Sequence, residues 1–221
     1  MIRLLIADDQ ELMREGLRVM LSPQPDIEVV GEAASGSELV QVASTTGADV
    51  ALVDIRMPGM DGIAATRELQ RAPRPPRVVI LTTFDHDEHV YDALRAGATG
   101  FLLKTTPPGR LVEAVRAAAE GESLLSPEIA QRLAERFARG PRPVADGVPA
   151  ELAELTPREL DVLRLIARGL SNTDIAAELV TSMATVKTHV NRIFRKLGVA
   201  ERAQAVVLAY ECGFVRPERV C

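Results

Sequence analysis

The chain has 221 residues, of which 47% are apolar, so it is long enough for two domains that each bury a core. Its formal net charge of −5 excludes a strongly basic protein, and any nucleic-acid-binding surface must therefore be local. No Trp and only two Tyr argue against aromatic stacking platforms for single-stranded nucleic acid.

The first 120 residues alternate between short apolar runs and amphipathic stretches. The runs consist mostly of Val, Ile, Leu and Ala, as expected for strands buried on both faces. Five such strand–helix units predict an α/β domain, a doubly wound five-stranded parallel sheet. The predicted strands are Leu4–Ala7, Ile27–Gly31, Val50–Val53, Val78–Leu81 and Gly100–Leu103.

A segment rich in proline and glycine, residues 140–149, interrupts this pattern and predicts a linker, because it cannot continue a helix or a strand. One helix is predicted just before it, at about 126–139. We therefore expect an N-terminal domain at 1–120, a linker with one helix at 121–150 and a second domain at 151–221.

Four short helices are predicted after the linker. Thr156, followed by a proline and then by Glu159, has the arrangement of a helix cap with an acid three residues later. Further helices are expected from Ser171, from about Ser182, and from Glu201 to Cys212. The second and third have the proportions of a helix-turn-helix within a small all-α domain.

Nothing in the sequence indicates a membrane protein. No apolar run approaches the roughly 20 residues of a membrane span, and Asp8 and Asp9 come too early for a signal peptide. Cys212 and Cys221 form neither a disulfide framework nor a metal cluster and are expected to be reduced thiols. We expect a cytoplasmic protein with no membrane partner.

Polar residues follow four predicted strands at their carboxyl ends, where doubly wound sheets gather their ligand sites: Asp8 and Asp9, Asp54, Thr82 and Lys104. Three converging carboxylates repel one another unless a cation relieves them, and an all-oxygen ligand set suits Mg²⁺. A carboxylate beside Mg²⁺ can attack a phosphoryl group and form an acyl phosphate. A lysine and a threonine hydroxyl can then hold the transferred oxygens.

The motifs around these residues are Ile6–Asp9, Val53–Gly62, Leu81–Thr83 and Gly100–Lys104. As a set they resemble the receiver domains of two-component response regulators, over residues 1–120. The resemblance implies that Asp54 is the phosphoacceptor for a cognate sensor histidine kinase. It implies that Mg²⁺ is held by Asp9, Asp54 and the backbone carbonyl of Arg56, with Asp8 assisting through water. It also implies that Thr82 and Phe101 form a switch pair and that Lys104 contacts the phosphoryl group.

The pattern departs from many receivers at Thr105, which stands where a proline often follows the lysine, so the orientation of Lys104 is left open. Phe84 and Arg56 stand two residues after Thr82 and Asp54 and should flank the phosphoryl group. Neither side chain can orient a hydrolytic water as a carboxylate or amide could. We therefore predict slow self-dephosphorylation, slower than in a Phe84→Asn variant.

The helix that starts near Ser182 carries four basic side chains and no acid between residues 184 and 196. Such a face is more often simply solvated, but on the second helix of a helix-turn-helix it is placed to enter the major groove. We expect Lys187, Thr188 and Asn191 to reach base edges, and Arg192, Arg195 and Lys196 to meet phosphates.

Residues 152–215, with the motifs Leu155–Leu160, Gly169–Ala176 and Ala184–Val190, resemble the LuxR-type DNA-binding domain. Joined to a receiver, they are similar to the NarL/FixJ subfamily of response regulators. The resemblance implies a homodimer on double-stranded promoter DNA when active, paired through the helix from Glu201 to Cys212. RNA polymerase is a further candidate partner. We hypothesise that the receiver covers the helix from Ser182, the recognition helix, until Asp54 is modified.

Three other hypotheses about function stay open. A ligand-gated regulator with the same DNA-binding domain would need an apolar pocket in place of the acidic one. A Mg²⁺-dependent phosphatase using Asp54 would want an acid where Arg56 stands. A receiver could also work unphosphorylated, through protein contacts alone. The leading hypothesis is a transcriptional regulator that is not an enzyme, except that its receiver catalyses its own phosphorylation and dephosphorylation.

Overall fold

The computed structural model describes residues 1–83, 87–121 and 148–215. The chain divides into two compact units, Met1–Leu124 and Leu125–Cys221. The linker helix predicted at about 126–139 lies outside the described residues, and the domain boundaries proposed from the sequence stay predictions.

The N-terminal unit is built on a parallel five-stranded sheet, which confirms the predicted fold class. The strand order is β2-β1-β3-β4-β5, so the chain reverses its direction of winding after β2 and places β1 and β3 side by side. Each predicted strand is present, extended by up to two residues at its ends. The strands are β1 Ile2–Ala7, β2 Ile27–Ala33, β3 Val50–Asp54, β4 Arg77–Thr82 and β5 Gly100–Leu103.

Helices cover both faces of the sheet, as they must because strands such as β3 are buried along their whole length. Leu17 and Leu21 of the first helix and Leu111 and Val115 of the last pack into one apolar core against one face of the sheet. The helices of this unit are α1 Glu11–Leu21, α2 Gly36–Thr46, α3 Gly62–Leu69, α4 Asp87–Ala96 and α5 Pro108–Ala119.

The C-terminal unit is helical, as the sequence predicts. Its helices are α6 Pro157–Ala167, α7 Asn172–Glu178, α8 Met183–Leu197 and α9 Arg202–Glu211, preceded by a short 3-10 turn at Ala150–Leu152. The capping box predicted at Thr156 and Glu159 is present, and Ser171 with Asp174 forms a second one. The fully buried side chains Val162, Ile166, Ile175, Val186 and Ile193 form the centre of this unit.

The turn between α7 and α8 contains an unusual backbone conformation. Val180 has a φ of +48°, in the left-handed region that β-branched residues avoid, and its side chain is 92% exposed. Ser182 then begins α8 by accepting a hydrogen bond from the backbone N–H of Thr185. No helix in the described part of the chain is long and apolar enough to cross a membrane.

Candidate functional site

The carboxyl ends of four strands bring the predicted polar residues to one edge of the sheet. Asp8 follows β1, Asp54 ends β3 and Thr82 ends β4, while Lys104 directly follows β5. Asp8 is fully buried and Asp54 nearly so, whereas Asp9 is exposed to solvent. The site therefore combines two buried carboxylates with a third that solvent can reach.

Asp8 is held from several directions. Its backbone N–H donates to the carbonyl oxygen of Ala33, 3.1 Å away, at the end of β2. One carboxylate oxygen, Oδ1, accepts a hydrogen bond of 3.0 Å from the backbone N–H of Gln10. The other, Oδ2, lies 2.6 Å from Nζ of Lys104.

Lys104 bridges the two buried carboxylates. Its Nζ lies 2.6 Å from Asp8 Oδ2 and 3.2 Å from Asp54 Oδ2. Its backbone N–H donates to the carbonyl oxygen of Thr82, 2.7 Å away, which continues the β4–β5 ladder by one residue. Lys104 points towards both carboxylates although Thr105, and not a proline, follows it.

The acidic residues fit a divalent cation. Oxygen atoms of Asp8, Asp9 and Asp54 lie within 4.8 Å of one another, and Lys104 forms ion pairs with two of these three carboxylates, Asp8 and Asp54. The buried Oδ2 of Asp8 has Lys104 as its ion-pair partner but accepts no well-formed hydrogen bond from any described residue. An all-oxygen set with surplus negative charge and one exposed member is typical of Mg²⁺ sites that keep several waters. The carbonyl of Arg56 as a further ligand stays a prediction.

Burial raises the pKa of the Asp54 carboxyl; Lys104 opposes this shift, and the negative charge of Asp8 adds to it. A bound cation would act in the same direction as Lys104 and favour the charged, nucleophilic form.

The loop after β3 is packed so tightly that two glycines are required. A Cβ on Gly62 would overlap the carbonyl oxygen of Asp54, and one on Gly36 would overlap that of Met60. The Gly62 N–H donates to the Ile55 carbonyl oxygen, 2.9 Å away. The backbone that carries Asp54 is thus fixed by the start of α3.

Thr82 and Phe101, the predicted switch pair, lie on the same face of the sheet. Phe101 pairs in register with Ile80, two residues before Thr82, and side chains two apart on a strand share a face. Both residues are buried. Their role as a switch stays a prediction, as does the effect of Phe84, which lies outside the described residues.

A second candidate site is the outer face of α8. Five of the residues predicted to contact DNA are exposed: Lys187, Thr188, Asn191, Arg192 and Arg195. Val186, Val190 and Ile193, spaced by four and three residues on the opposite side of the helix, are buried. Among the described residues, no acid forms an ion pair with Lys187, Arg192 or Arg195. These cations are therefore available to an anionic partner. His189 is half-buried, with its Nδ1 enclosed.

Lys196, the sixth residue predicted to contact DNA, has a different environment. Its Nζ lies 2.6 Å from Oε2 of Glu159, a carboxylate 2% exposed at the start of α6. Burial alone would raise the pKa of Glu159, but hydrogen bonds from Lys196 and from Thr156 outweigh it and lower the pKa to about 2. The sequence pattern did not reveal this pair, because the two residues are far apart in the chain.

The helix predicted to pair two chains, α9, has buried residues on most of its circumference. Gln204, Leu208 and Glu211 are half-buried and share one side of the helix by their spacing. At its start, Arg202 donates a 2.9 Å hydrogen bond to Asn172 and bonds to the carbonyl of Leu170, which ties α9 to the start of α7.

Comparison with known protein families assigns both units. Residues 4–116 match the response regulator receiver domain, and residues 153–209 match the bacterial regulatory proteins of the luxR family. The chain belongs to the two-component response regulators. The predicted family, with its receiver and LuxR-type DNA-binding domain, is thereby confirmed.

Relatives of this response regulator match it along nearly its whole length. The transcriptional regulatory protein LiaR of Bacillus subtilis is 43% identical over 210 residues, which cover 95% of this chain and 97% of LiaR. YxjL of the same organism, an uncharacterized transcriptional regulatory protein, is 45% identical over 217 residues, covering 97% and 98%. The solved structure of ChrA, a response regulator in a heme-sensing two-component system, is 42% identical with a TM-score of 0.53. That match covers 97% of this chain and 98% of ChrA.

The match to the receiver domain bears on the alternative readings. It accounts for the N-terminal residues in which a ligand-gated regulator would build its pocket. The family is regulatory, which speaks against a phosphatase. A receiver that works unphosphorylated stays the remaining alternative.

Proposed function

We propose that this response regulator accepts a phosphoryl group on Asp54 from a cognate sensor histidine kinase, and that phosphorylation controls its dimerisation and its binding to promoter DNA. The observation that carries the proposal is the buried pair of carboxylates, Asp8 and Asp54, bridged by Lys104 beside an exposed third carboxylate, Asp9.

In the proposed reaction an Oδ atom of Asp54 attacks phosphorus as the P–N bond of the donor phosphohistidine breaks. The electron pair of that bond stays on the imidazole nitrogen, which takes up a proton. Lys104, already 3.2 Å from Asp54 Oδ2, is placed to hold a transferred oxygen, and Thr82 offers a hydroxyl from the neighbouring strand. Mg²⁺ held by Asp8, Asp9 and Asp54, with the Arg56 carbonyl as a proposed further ligand, would neutralise the charge of the phosphoryl oxygens.

On the DNA side, we propose that Lys187, Thr188 and Asn191 read base edges in the major groove while Arg192 and Arg195 contact phosphates. Their common exposure on α8, opposite its buried stripe, supports this assignment. The half-buried side of α9 formed by Gln204, Leu208 and Glu211 is the proposed surface for pairing two chains. Such a regulator would act in the cytoplasm, with RNA polymerase as a candidate further partner.

Phosphorylation is tested with phosphoramidate, a small donor with the same P–N bond, in the presence and absence of Mg²⁺. Intact mass should show one added phosphoryl group that requires Mg²⁺ and is absent from Asp54→Asn. Size-exclusion chromatography and binding to duplexes selected from a random pool should then show more dimer and tighter DNA binding after phosphorylation. A phosphoryl group on another residue, or unchanged DNA affinity after full modification, would overturn the proposal.

The DNA contacts are separated by a pair of variants. Asn191→Ala should lose about 1–3 kcal/mol of binding to the selected site and relax the preferred base there, with an unchanged salt dependence. Arg195→Ala should weaken binding to all sequences alike and reduce the slope of log K against log salt by about 1. Identical behaviour of the two variants would contradict the assignment of base and phosphate contacts.

A further inference from the structure

Arg14, on the first turns of α1, reaches back to the acidic site. Its Nη1 donates a hydrogen bond of 2.8 Å to the backbone carbonyl oxygen of Asp8. Its Nε lies 3.7 Å from Oε2 of Glu32 on β2, and its side chain is only 17% exposed. One guanidinium thus connects the first acidic residue of the site to the neighbouring strand.

The other restraints on Asp8 converge on the same place. Glu32 directly precedes Ala33, whose carbonyl oxygen accepts the hydrogen bond from the Asp8 N–H. The end of β2 therefore holds the Asp8 N–H by its direct hydrogen bond to Ala33. It holds the Asp8 carbonyl oxygen indirectly, through the ion pair of Glu32 with Arg14. Between them these two contacts fix the peptide planes on both sides of Asp8, and the second of those planes leads into Asp9.

Among the described residues, none gives Asp9 a comparable hydrogen bond or ion pair. It is the exposed member of the acidic cluster, and its orientation depends on the backbone of the turn between β1 and α1. Groups that orient the ligands of a metal ion commonly matter for affinity nearly as much as the ligands themselves. The hydrogen bond from Arg14 is well placed for that role because it acts on the peptide joining two of the carboxylates.

We propose that Arg14 is a positioning residue for the Asp8–Asp9 pair and sets the affinity of the acidic site for Mg²⁺. The inference rests on the proposed function, since it assumes that the cluster holds this ion. Arg14 is not a catalytic residue, because its hydrogen bond goes to a backbone carbonyl and not to the reacting atoms. Its effect is to limit the conformations of the turn before the ion arrives.

Arg18 provides a matched control on the same helix. Its Nε lies 3.5 Å from Oε1 of Glu32, so it pairs with the same carboxylate as Arg14 and carries the same charge. It is 51% exposed, and the described residues show no hydrogen bond from it to Asp8. Replacing either arginine by alanine removes one positive charge near Glu32, but only one of the two changes frees the Asp8 carbonyl.

The test measures Mg²⁺ binding to the full chain by isothermal titration calorimetry for wild type, Arg14→Ala, Arg14→Lys and Arg18→Ala. Loss of a ligand-orienting group typically costs about 10–100-fold in metal affinity, and we expect about tenfold for Arg14→Ala. Arg18→Ala should stay within about twofold of wild type, because its contact is solvent-exposed. Arg14→Lys keeps a donor but cannot bridge to Glu32 with the same fork, so it should fall between the two.

Phosphorylation by phosphoramidate distinguishes positioning from a general loss of structure. In Arg14→Ala the Mg²⁺ concentration for half-maximal rate should rise in parallel with the dissociation constant, while the rate at saturating Mg²⁺ should stay within about twofold of wild type. Far-UV circular dichroism checks that each variant is folded. Should Arg14→Ala fail to fold, the comparison of Arg14→Lys with Arg18→Ala decides, with weaker Mg²⁺ binding expected for the former.

Three results would overturn the inference. Equal Mg²⁺ affinity in the folded Arg14 and Arg18 variants would show that the hydrogen bond to Asp8 does not matter. Tighter binding in Arg14→Ala would show that the positive charge of Arg14 repels the ion more than its hydrogen bond helps. Failure of the wild-type chain to bind Mg²⁺ would overturn the proposed metal site as well, and it is distinguishable because the control variant would then also show no binding.

Discussion

The ion pair between Lys196 and Glu159 gives a sharp test of what Lys196 does. Replacing Lys196 by methionine keeps most of the side-chain length and removes the charge. Glu159 is 2% exposed and would be left as a buried carboxylate with only the hydrogen bonds from Thr156. We expect the LuxR-type domain of Lys196→Met to be less stable at neutral pH.

The magnitude follows from the pKa of Glu159, which is lowered from an ordinary 4.5 to about 2. At about 1.4 kcal/mol per unit, the interactions of the charged form stabilise the domain by about 3 kcal/mol above the unfolded pKa. Lys196 is 26% exposed and shares this effect with Thr156, so its removal should cost about 1–3 kcal/mol.

The sign of the pH dependence is fixed by the direction of that shift. Because the folded pKa of Glu159 is lowered, its contribution is complete above about pH 4.5 and is lost as the pH falls towards 2. The difference in stability between wild type and Lys196→Met should therefore be largest near neutral pH and should narrow below pH 4.5.

The assay is urea unfolding of the full chain at several pH values, with amide hydrogen exchange at neutral pH to locate the loss in α6–α9. Arg195→Met is the matched control, since Arg195 is exposed on the same helix. It should keep wild-type stability while reducing the salt slope of DNA binding by about 1. If Lys196→Met instead keeps wild-type stability and reduces the salt slope, Lys196 contacts phosphate and our structural reasoning is wrong.

Two further outcomes concern the backbone. Gly62→Ala should destabilise the receiver domain by about 1–3 kcal/mol and slow phosphorylation of Asp54, because the new Cβ overlaps the Asp54 carbonyl oxygen. Thermal unfolding and the rate of phosphorylation by phosphoramidate measure these effects. Gly109→Ala is the control, at a helical position with open space, and it should be neutral or stabilising in both assays. Equal effects of the two substitutions would contradict this account. Val180→Gly should stabilise the LuxR-type domain by up to about 1 kcal/mol in urea unfolding, since relief of the left-handed strain exceeds the entropy that glycine loses on folding. A loss of stability would show that the exposed Val180 side chain contributes contacts.

Much of the receiver fold could be read from the sequence, because Val50–Val53 and the other apolar runs are short, buried on both faces and separated by helical patterns. The acidic site followed from topology, since Asp8, Asp54 and Lys104 each follow a strand whose carboxyl end must lie at one edge of the sheet. Patterns of this kind are local or repeat along the chain, and so they are visible without coordinates.

The features that could not be predicted depend on contacts between distant or irregular segments. Lys196 has the sequence context of a phosphate-binding residue, and its partner is a helix-capping acid on α6. In the sequence, Arg14 has the pattern of an ordinary basic residue on an amphipathic helix, and its hydrogen bond to the Asp8 carbonyl is visible only in the structure. A turn before the helix that starts near Ser182 was expected, but the left-handed backbone at Val180 was not, because valine is a poor indicator of that conformation.

The first turn of α6 contacts both halves of the helix-turn-helix. Arg158 donates a 2.9 Å hydrogen bond to the carbonyl of Leu179, at the end of α7, while its neighbour Glu159 holds Lys196 near the end of α8. The angle at which the recognition helix would meet a groove is therefore set in part by a helix that presents none of the proposed DNA contacts. We therefore expect substitutions at Arg158 or Glu159 to change the orientation of α8 while leaving every proposed base-reading side chain in place.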